Sequence, residues 1–255
     1  MIFQEAKVLK SHGIQYISDL EKVELTPLFR GRPEISGEIT QSEAKQLIQL
    51  CPTQAIEMNP VSIDLGKCVF CKECEFAIPE KIHFTNDYKI AANNRESLII
   101  KAGDTKPLSI DEDNVRSVIH DYFGHALKLR QVSAAGDNAC EMELNASGNV
   151  NFDLGRYGIE FLASPRHCDG IVITGPISEN MAEPLQICYD AIPSPKIIIL
   201  AGTDAISGGI FANSKALNRN FLKKYTIDLY IPGNPVHPLT FINGILSLVK
   251  KNKHK

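Results

Sequence analysis

The segment Leu50–Pro79, LCPTQAIEMNPVSIDLGKCVFCKECEFAIP, constrains the chain more than any other, because it gathers four of the seven cysteines. Cys68, Cys71 and Cys74 stand at two-residue spacing, and Cys51, directly followed by Pro52, lies a short loop upstream. A 4Fe-4S cube needs four thiolates around one inorganic core, and the CxxCxxC pattern supplies three from one tight loop and the fourth from a remote Cys-Pro. Zinc also binds CxxC pairs, but such a site needs a second ligand pair that the local sequence lacks. The spacing therefore favours one cube on Cys51, Cys68, Cys71 and Cys74 over zinc or unliganded thiols.

The same stretch lacks a second cube. In two-cluster chains each run reads CxxCxxCxxxCP, and its last cysteine serves the other cluster. Counting back from Cys51, the three cysteine positions of a first run hold Gln41, Ala44 and Leu47. Counting on from Cys74, the second Cys-Pro reads Ile78-Pro79. All four ligands of one cluster are replaced and all four of the other are kept. The segment SGEITQSEAKQLIQL instead predicts a helix, with Ser42 as candidate cap and Ala44, Leu47 and Ile48 at helical spacing.

At 255 residues, 44% hydrophobic and 22% charged, the chain is long enough for two modest domains with separate cores. A net charge of −3 gives no electrostatic case for nucleic acid, and Lys250–Lys255 reads as a solvated helix end. No signal-peptide core opens the sequence, and no apolar run reaches about 18 residues, so a soluble or peripheral protein without a membrane span is expected. Thiols at metal spacing fit a reducing compartment, hence the cytoplasm.

Residues 1–30 read as a helix or an extended arm, and the stretch after the cysteines has short strand-like pieces punctuated by Asn, Gly and Pro. These close a small α+β domain over 1–105. A linker helix is expected over 106–126, with Ser109 as cap, acidic residues in its first turn and Gly124 near its end. His120 and His125 on it read as structural or solvent-facing, because a metal role needs further partners. From 127 to 255 the apolar strands KLRQVSAAG, GIEFLAS, GIVITG, KIIILAG and IDLYIPG alternate with or precede helices at ENMAEPLQICYDAI and PLTFINGILSLVKK. Runs such as IVIT and IIIL are what strands covered on both faces require, which predicts a parallel α/β sheet. In such sheets ligands bind beyond the carboxyl ends of the strands, where one pocket could collect Asp137, Cys140, Asp204 and Asn234. Taken alone, these residue types are equally those of ordinary turns.

The run from Asn151 to Phe211, continuing through DLYIPGNPVHPLTFINGIL, carries Ser164-Pro165-Arg166-His167, Thr174-Gly175-Pro176, Asn180-Met181 and Pro232-Gly233. In this order and spacing it resembles the small subunit of the membrane-bound energy-conserving [NiFe] hydrogenases of the formate hydrogenlyase type and the 20 kDa subunit of respiratory complex I. FRGRPEIS, from Phe29 to Ser36, is similar to the lead-in of their ferredoxin-type subunits. The resemblance implies a bacterial-ferredoxin-like α+β domain fused to a flavodoxin-like parallel α/β domain. It also implies where the family's proximal cluster would sit: its four cysteine positions fall on Asp137, Cys140, Asp204 and Asn234. Only one thiolate remains there, and oxygen ligands suit hard cations rather than the iron of a cube. Cys168 and Cys188 are expected to pack as small hydrophobes.

The resemblance thus implies an electron-transfer subunit with one 4Fe-4S cluster and no proximal cluster. It would dock on a hydrogenase- or complex-I-type large subunit within a membrane-bound complex, peripheral on the cytoplasmic face of the inner membrane. The alternative is a non-catalytic scaffold or regulatory homologue that kept the docking surface, and a third reading gives the degenerate site a hard metal ion or a small polar ligand. No nickel-binding cysteine pairs and no dinucleotide GxGxxG are present, so catalysis by this chain alone is not expected. The docking face is expected around Cys140, Glu141, Thr174–Ile177, Ile206–Phe211 and Pro235–Pro238, with Ile206 and Phe211 at its apolar centre.

Overall fold

A computed structural model describes residues 2–124 and 126–249. Helix α1 (Ile2–His12) leads into an extended arm, and then come β1 (Pro33–Ile35), α2 (Gln41–Leu50), β2 (Ile56–Glu57), β3 (Ser62–Asp64), α3 (Glu73–Ala77), β4 (Ile82–Phe84) and β5 (Ile99–Lys101). Strand β1 pairs antiparallel with β4, and β2, β3 and β5 form an antiparallel three-stranded sheet. The expected helix stands where a cluster loop would run, but Thr40 caps it rather than Ser42. Thr40 Oγ1 accepts from Glu43 N at 3.3 Å while Glu43 Oε2 accepts from Thr40 N at 2.7 Å. Only a residue three places before the glutamate can close that reciprocal box, and Ser42 stands one place before it. Ala44 and Leu47 are buried on the inner face, and so is Ile78.

The expected linker helix is shorter than its sequence suggests. Asp111 caps a single 3-10 turn over Glu112–Asn114, and α4 begins only at Ser117 and ends at Phe123, with Gly124 as its C-cap. Between them Arg116 holds a non-helical backbone. It donates to Asp228 at 2.6 and 2.9 Å and to the Lys196 carbonyl at 2.7 Å. His120 Nδ1 lies 3.4 Å from the Val249 carbonyl, a structural place as expected, whereas His125 and Lys250–Lys255 lie outside the described residues.

The remainder is β6 (Leu127–Ser133), α5 (Ala139–Ala146), β7 (Ile159–Phe161), β8 (Gly170–Thr174), α6 (Glu179–Asp190), β9 (Ile197–Ala201), α7 (Thr203–Ser207), α8 (Asn220–Lys224), β10 (Leu229–Ile231) and α9 (Pro238–Val249). The five strands are all parallel in the order β10-β9-β8-β6-β7. This is the flavodoxin-like winding, whose direction reverses between the first and third strands, here β6 and β8. Every residue of β8 and β9 is buried.

Side chains alternate across a strand, so the two faces of the sheet feed different cores. Val172, Ile197 and Ile199 join Leu239, Phe241 and Ile245 of α9. Ile171, Ile173, Ile198 and Leu200 join a cluster that continues through Ile206 into Phe70, Leu47 and Ile35 of the first unit. The expectation of two separate cores therefore fails. Enough apolar surface lies between the units to merge them.

Candidate metal centre

Cys51 caps the C-terminus of α2, Cys68 and Cys71 lie on the loop after β3, and Cys74 is in α3. All four line one cavity, walled by apolar groups that include Leu47, Ile63 and Phe84. Two non-glycine residues between the loop cysteines, Phe70 (φ 54°) and Lys72 (φ 68°), adopt left-handed backbone, which turns the chain tightly enough to aim successive thiols into one space. The base of the loop is fixed by Asp64. Its carboxylate accepts from Gly66 N at 2.9 Å and from both Arg95 terminal nitrogens at 2.8 and 2.6 Å, and its carbonyl accepts from Cys68 N at 2.9 Å.

Two of the sulfurs already accept backbone donors: Cys51 Sγ from Ala55 N at 3.2 Å, and Cys68 Sγ from Phe70 N at 3.3 Å. Burial pushes the Cys68 thiol far above its ordinary range, against the Phe70 N–H, and the neighbouring cysteines add to the rise. Burial, then the charge of Cys71, pushes Cys74 up to about 12. Four thiolates sharing one cavity do not coexist without positive charge among them, which a metal centre bound there would supply. Among the described residues no three His, Cys, Asp or Glu side chains close tightly enough to hold a single metal ion. Four cysteines lining one cavity, from the end of α2, the loop after β3 and α3, are the donor set that a cube takes.

The second unit reaches into this loop. Thr203 Oγ1 donates to the Cys68 carbonyl at 2.7 Å, and Ile206 packs so closely on Gly66 that a Cβ there would stand 2.8 Å from its Cγ2. From the N-terminal arm, Arg30 Nη1 donates to the Phe70 carbonyl at 2.8 Å.

The other candidate set lies at the carboxyl ends of the parallel strands. Asp137 and Cys140 follow β6 at the winding reversal, where Gly136 and Gly175 approach so closely that a Cβ on Gly175 would stand 2.4 Å from Gly136 N. Cys140 Sγ rests on Gly202, and the Asp204 carboxylate is folded over Gly209. Burial first, then the charge of Asp137, raises Asp204 to about 6, and its Oδ1 is buried with no hydrogen-bond partner. Arg219 does not pair with that carboxylate. Its terminal nitrogens donate to the carbonyls of Pro176, Asp204, Ala205 and Ile206. Burial lifts the Cys140 thiol to about 12, with the charges of Glu141, Asp204 and Asp137 adding to it. Asp137, Cys140 and Asp204 are therefore neighbours, joined by Glu141, which accepts from Thr174 Oγ1 at 2.6 Å. The sequence pointed to Glu141 only as surface, although its place in the first turn of α5 was a signal. Asn234 lines a separate cavity with Arg30, Phe70 and His237.

The expected docking face changes in one respect. Ile206 is 7% exposed, packed against Gly66 of the first unit, and Ile177 and Val236 are fully buried in the core. The exposed apolar groups there are Ile210 (62%) and Phe211 (41%). Cys168 is buried and donates to the Ser164 carbonyl at 3.3 Å, and Cys188 is half-buried on α6, so both pack as expected.

Residues 138–248 match the family described as NADH ubiquinone oxidoreductase, 20 Kd subunit. The chain is similar to an NADH-quinone oxidoreductase subunit of Clostridium beijerinckii, 39% identical over 45% of this chain and 69% of that protein. It is also similar to the probable membrane-bound hydrogenase subunit mbhJ of Pyrococcus furiosus, 28% identical over 51% of this chain and 78% of that protein. A chain of the membrane-bound sulfane sulfur reductase, an archaeal respiratory membrane complex, aligns at 27% identity and a TM-score of 0.44 over 51% of this chain and 72% of its own.

Proposed function

Because the chain belongs to the NADH ubiquinone oxidoreductase 20 Kd subunit family, we propose that it is an iron–sulfur electron-transfer subunit of a hydrogenase- or complex-I-related oxidoreductase. In this reading residues 1–105 are a ferredoxin-type domain with one 4Fe-4S cluster on Cys51, Cys68, Cys71 and Cys74, residues 106–126 link it, and residues 127–255 are the family domain. The observation that carries it is the convergence of those four thiols on one apolar-walled cavity, two of them already receiving N–H donors. When bound, the cluster supplies a one-electron carrier. The residues supply the setting: the N–H groups of Ala55 and Phe70 offset negative charge on sulfur, the apolar walls keep water away, and Asp64 with Arg95 holds the loop in register.

Asp137, Cys140, Asp204 and Asn234 do not fit a second cube. One thiol among oxygen donors is the wrong set for it, Cys140 and Asp204 are folded onto the glycines beside them, and Asn234 lines a different cavity. The family domain in this chain is read as a docking and positioning body that has lost its proximal cluster. Its partner is a large subunit of the hydrogenase or complex I type in a membrane complex, as the names of the relatives suggest. The chain sits peripherally on the cytoplasmic side, and among the described residues no helix is long and apolar enough to cross a membrane. The single-thiol site also favours a second reading, a non-catalytic scaffold that docks on the same large subunit.

The test is iron and acid-labile sulfide per chain after anaerobic reconstitution, in the native protein and in Cys71→Ser and Cys140→Ser. About four irons per chain, lost in the first variant and kept in the second, is the expected result. About eight irons, tightly bound zinc, or loss of iron in Cys140→Ser sinks the reading.

A further inference from the structure

We propose that Thr203, on the second unit, is a positioning residue for the cluster carried by the first, and that its hydroxyl sets the reduction potential of that cluster. The proposal rests on the reading that Cys51, Cys68, Cys71 and Cys74 hold a cube. Thr203 is fully buried and opens α7 directly after Gly202, whose φ of +100° turns the chain out of β9. Gly202 holds the cap position of α7, and Thr203 stands one place inside the helix, where no side chain caps the first N–H groups. Here the hydroxyl lies 2.7 Å from the carbonyl of Cys68, 135 positions earlier, with the Gly233 carbonyl farther off at 3.2 Å as a second acceptor.

The acceptor is a ligand residue's own peptide, and that gives the contact its leverage. In a trans peptide the N–H points opposite to the C=O. Holding the Cys68 carbonyl against Thr203 therefore turns the Val69 N–H away from the second unit, and Val69 itself lines the cluster cavity. The next carbonyl but one, that of Phe70, is likewise held from outside the loop, by Arg30, while the Phe70 N–H serves the Cys68 sulfur. Ile206, one turn beyond Thr203, fills the space left by the missing side chain of Gly66. The loop's peptide dipoles are thus oriented by donors that the first unit's sheets do not provide. Dipoles next to a cluster set its potential through the extra negative charge of the reduced state.

The sign follows. Without the Thr203 hydroxyl the Cys68–Val69 peptide loses the donor that fixes its orientation and offsets the negative charge of its oxygen, and adding an electron becomes harder. The experiment is an EPR-monitored redox titration of the full, anaerobically reconstituted chain as native protein, Thr203→Val and Thr203→Ser, with iron content measured alongside. Thr203→Val, of nearly the same shape, is expected to disfavour reduction about threefold to tenfold, a potential lower by up to about 59 mV for one electron. Thr203→Ser keeps the hydroxyl and is expected to titrate as the native protein does. If Thr203→Val takes up no cluster, recovery of both uptake and native potential in Thr203→Ser supports the same assignment, and no recovery overturns it. A Thr203→Val protein that titrates within twofold of the native one overturns the proposal while leaving the cluster intact. A native chain that takes up no iron overturns the cluster reading itself, and this proposal with it.

Discussion

Arg95→Ala should cost the first unit about 2–4 kcal/mol, and the size of that loss follows from what the arginine leaves behind. Asp64 is 5% exposed and sits under the cysteine loop. Its carboxylate receives Arg95 at 2.8 and 2.6 Å, and only the Gly66 N–H remains on the same oxygens once Arg95 is gone, with Lys67 Nζ at 3.9 Å. Removing one partner of a buried pair costs about 3–5 kcal/mol, because the other charge is stranded. The Arg95 side chain is 28% exposed, so water can enter the gap and Lys67 can swing closer, which brings the figure down to about 2–4 kcal/mol. The Lys67–Glu57 pair, at 36% and 64% exposure, is the internal control. Glu57→Ala should change stability by less than about 0.5 kcal/mol. Anaerobic urea unfolding of the reconstituted protein, followed through the visible absorbance of the cluster and through far-UV circular dichroism, measures both. An Arg95→Ala midpoint indistinguishable from that of Glu57→Ala would refute the idea that this pair holds the loop.

Asp204→Asn should stabilise the chain near neutral pH and do nothing near pH 4. Burial and Asp137 raise the native carboxyl from its ordinary 3.8 to about 6, so the folded state keeps a proton through that window which the unfolded chain has released, and stability falls as pH rises across it. Melting curves at several pH values would show whether the variant flattens that slope, and a parallel curve would contradict it. Ile206→Asp, at a 7% exposed site against Gly66, should unfold the joint between the units. Ile210→Asp, at a 62% exposed site, should leave the melting temperature within a few degrees and weaken co-purification of the large-subunit partner. Circular dichroism together with pull-down from cells of the native host separates the two effects, and equal losses of fold in both would contradict the assignment of exposed and buried faces.

Much of the fold was legible wherever a single strand or a single loop carries its own pattern. IVIT and IIIL announce strands buried on both sides, and both occupy the middle of the parallel sheet. The grouping of four cysteines and the helix over Gln41–Leu50 were equally plain, because residue spacing is a local property. What stayed hidden depends on contacts between residues far apart in sequence. Thr203 meets Cys68 across 135 positions, and Arg116 meets Asp228 across 112. Nothing near Arg116 says that its guanidinium will be used on a distant carboxylate and so delay the start of α4. Ile206 illustrates the same limit at the site: an isoleucine in a glycine-rich strand-end loop reads as an exposed tip until the first unit is seen packed over it.

On the one-cluster reading, helix α2 bars a second cluster from the segment it occupies. Cysteines restored at Gln41, Ala44, Leu47 and Ile78 would have the right spacing, yet three of those four positions, Ala44, Leu47 and Ile78, are within 4% of complete burial. Thiols placed there would meet close-packed hydrocarbon rather than an opening for iron and sulfide. The helix carrying three of the four sites is also fastened at its start by the Thr40–Glu43 box and by Lys81 Nζ at 2.8 Å from both Glu43 oxygens. A returning cluster would have to melt that helix before it could form its first bond. On the one-cluster reading, the packing that fills this segment is what keeps a second cluster out of it.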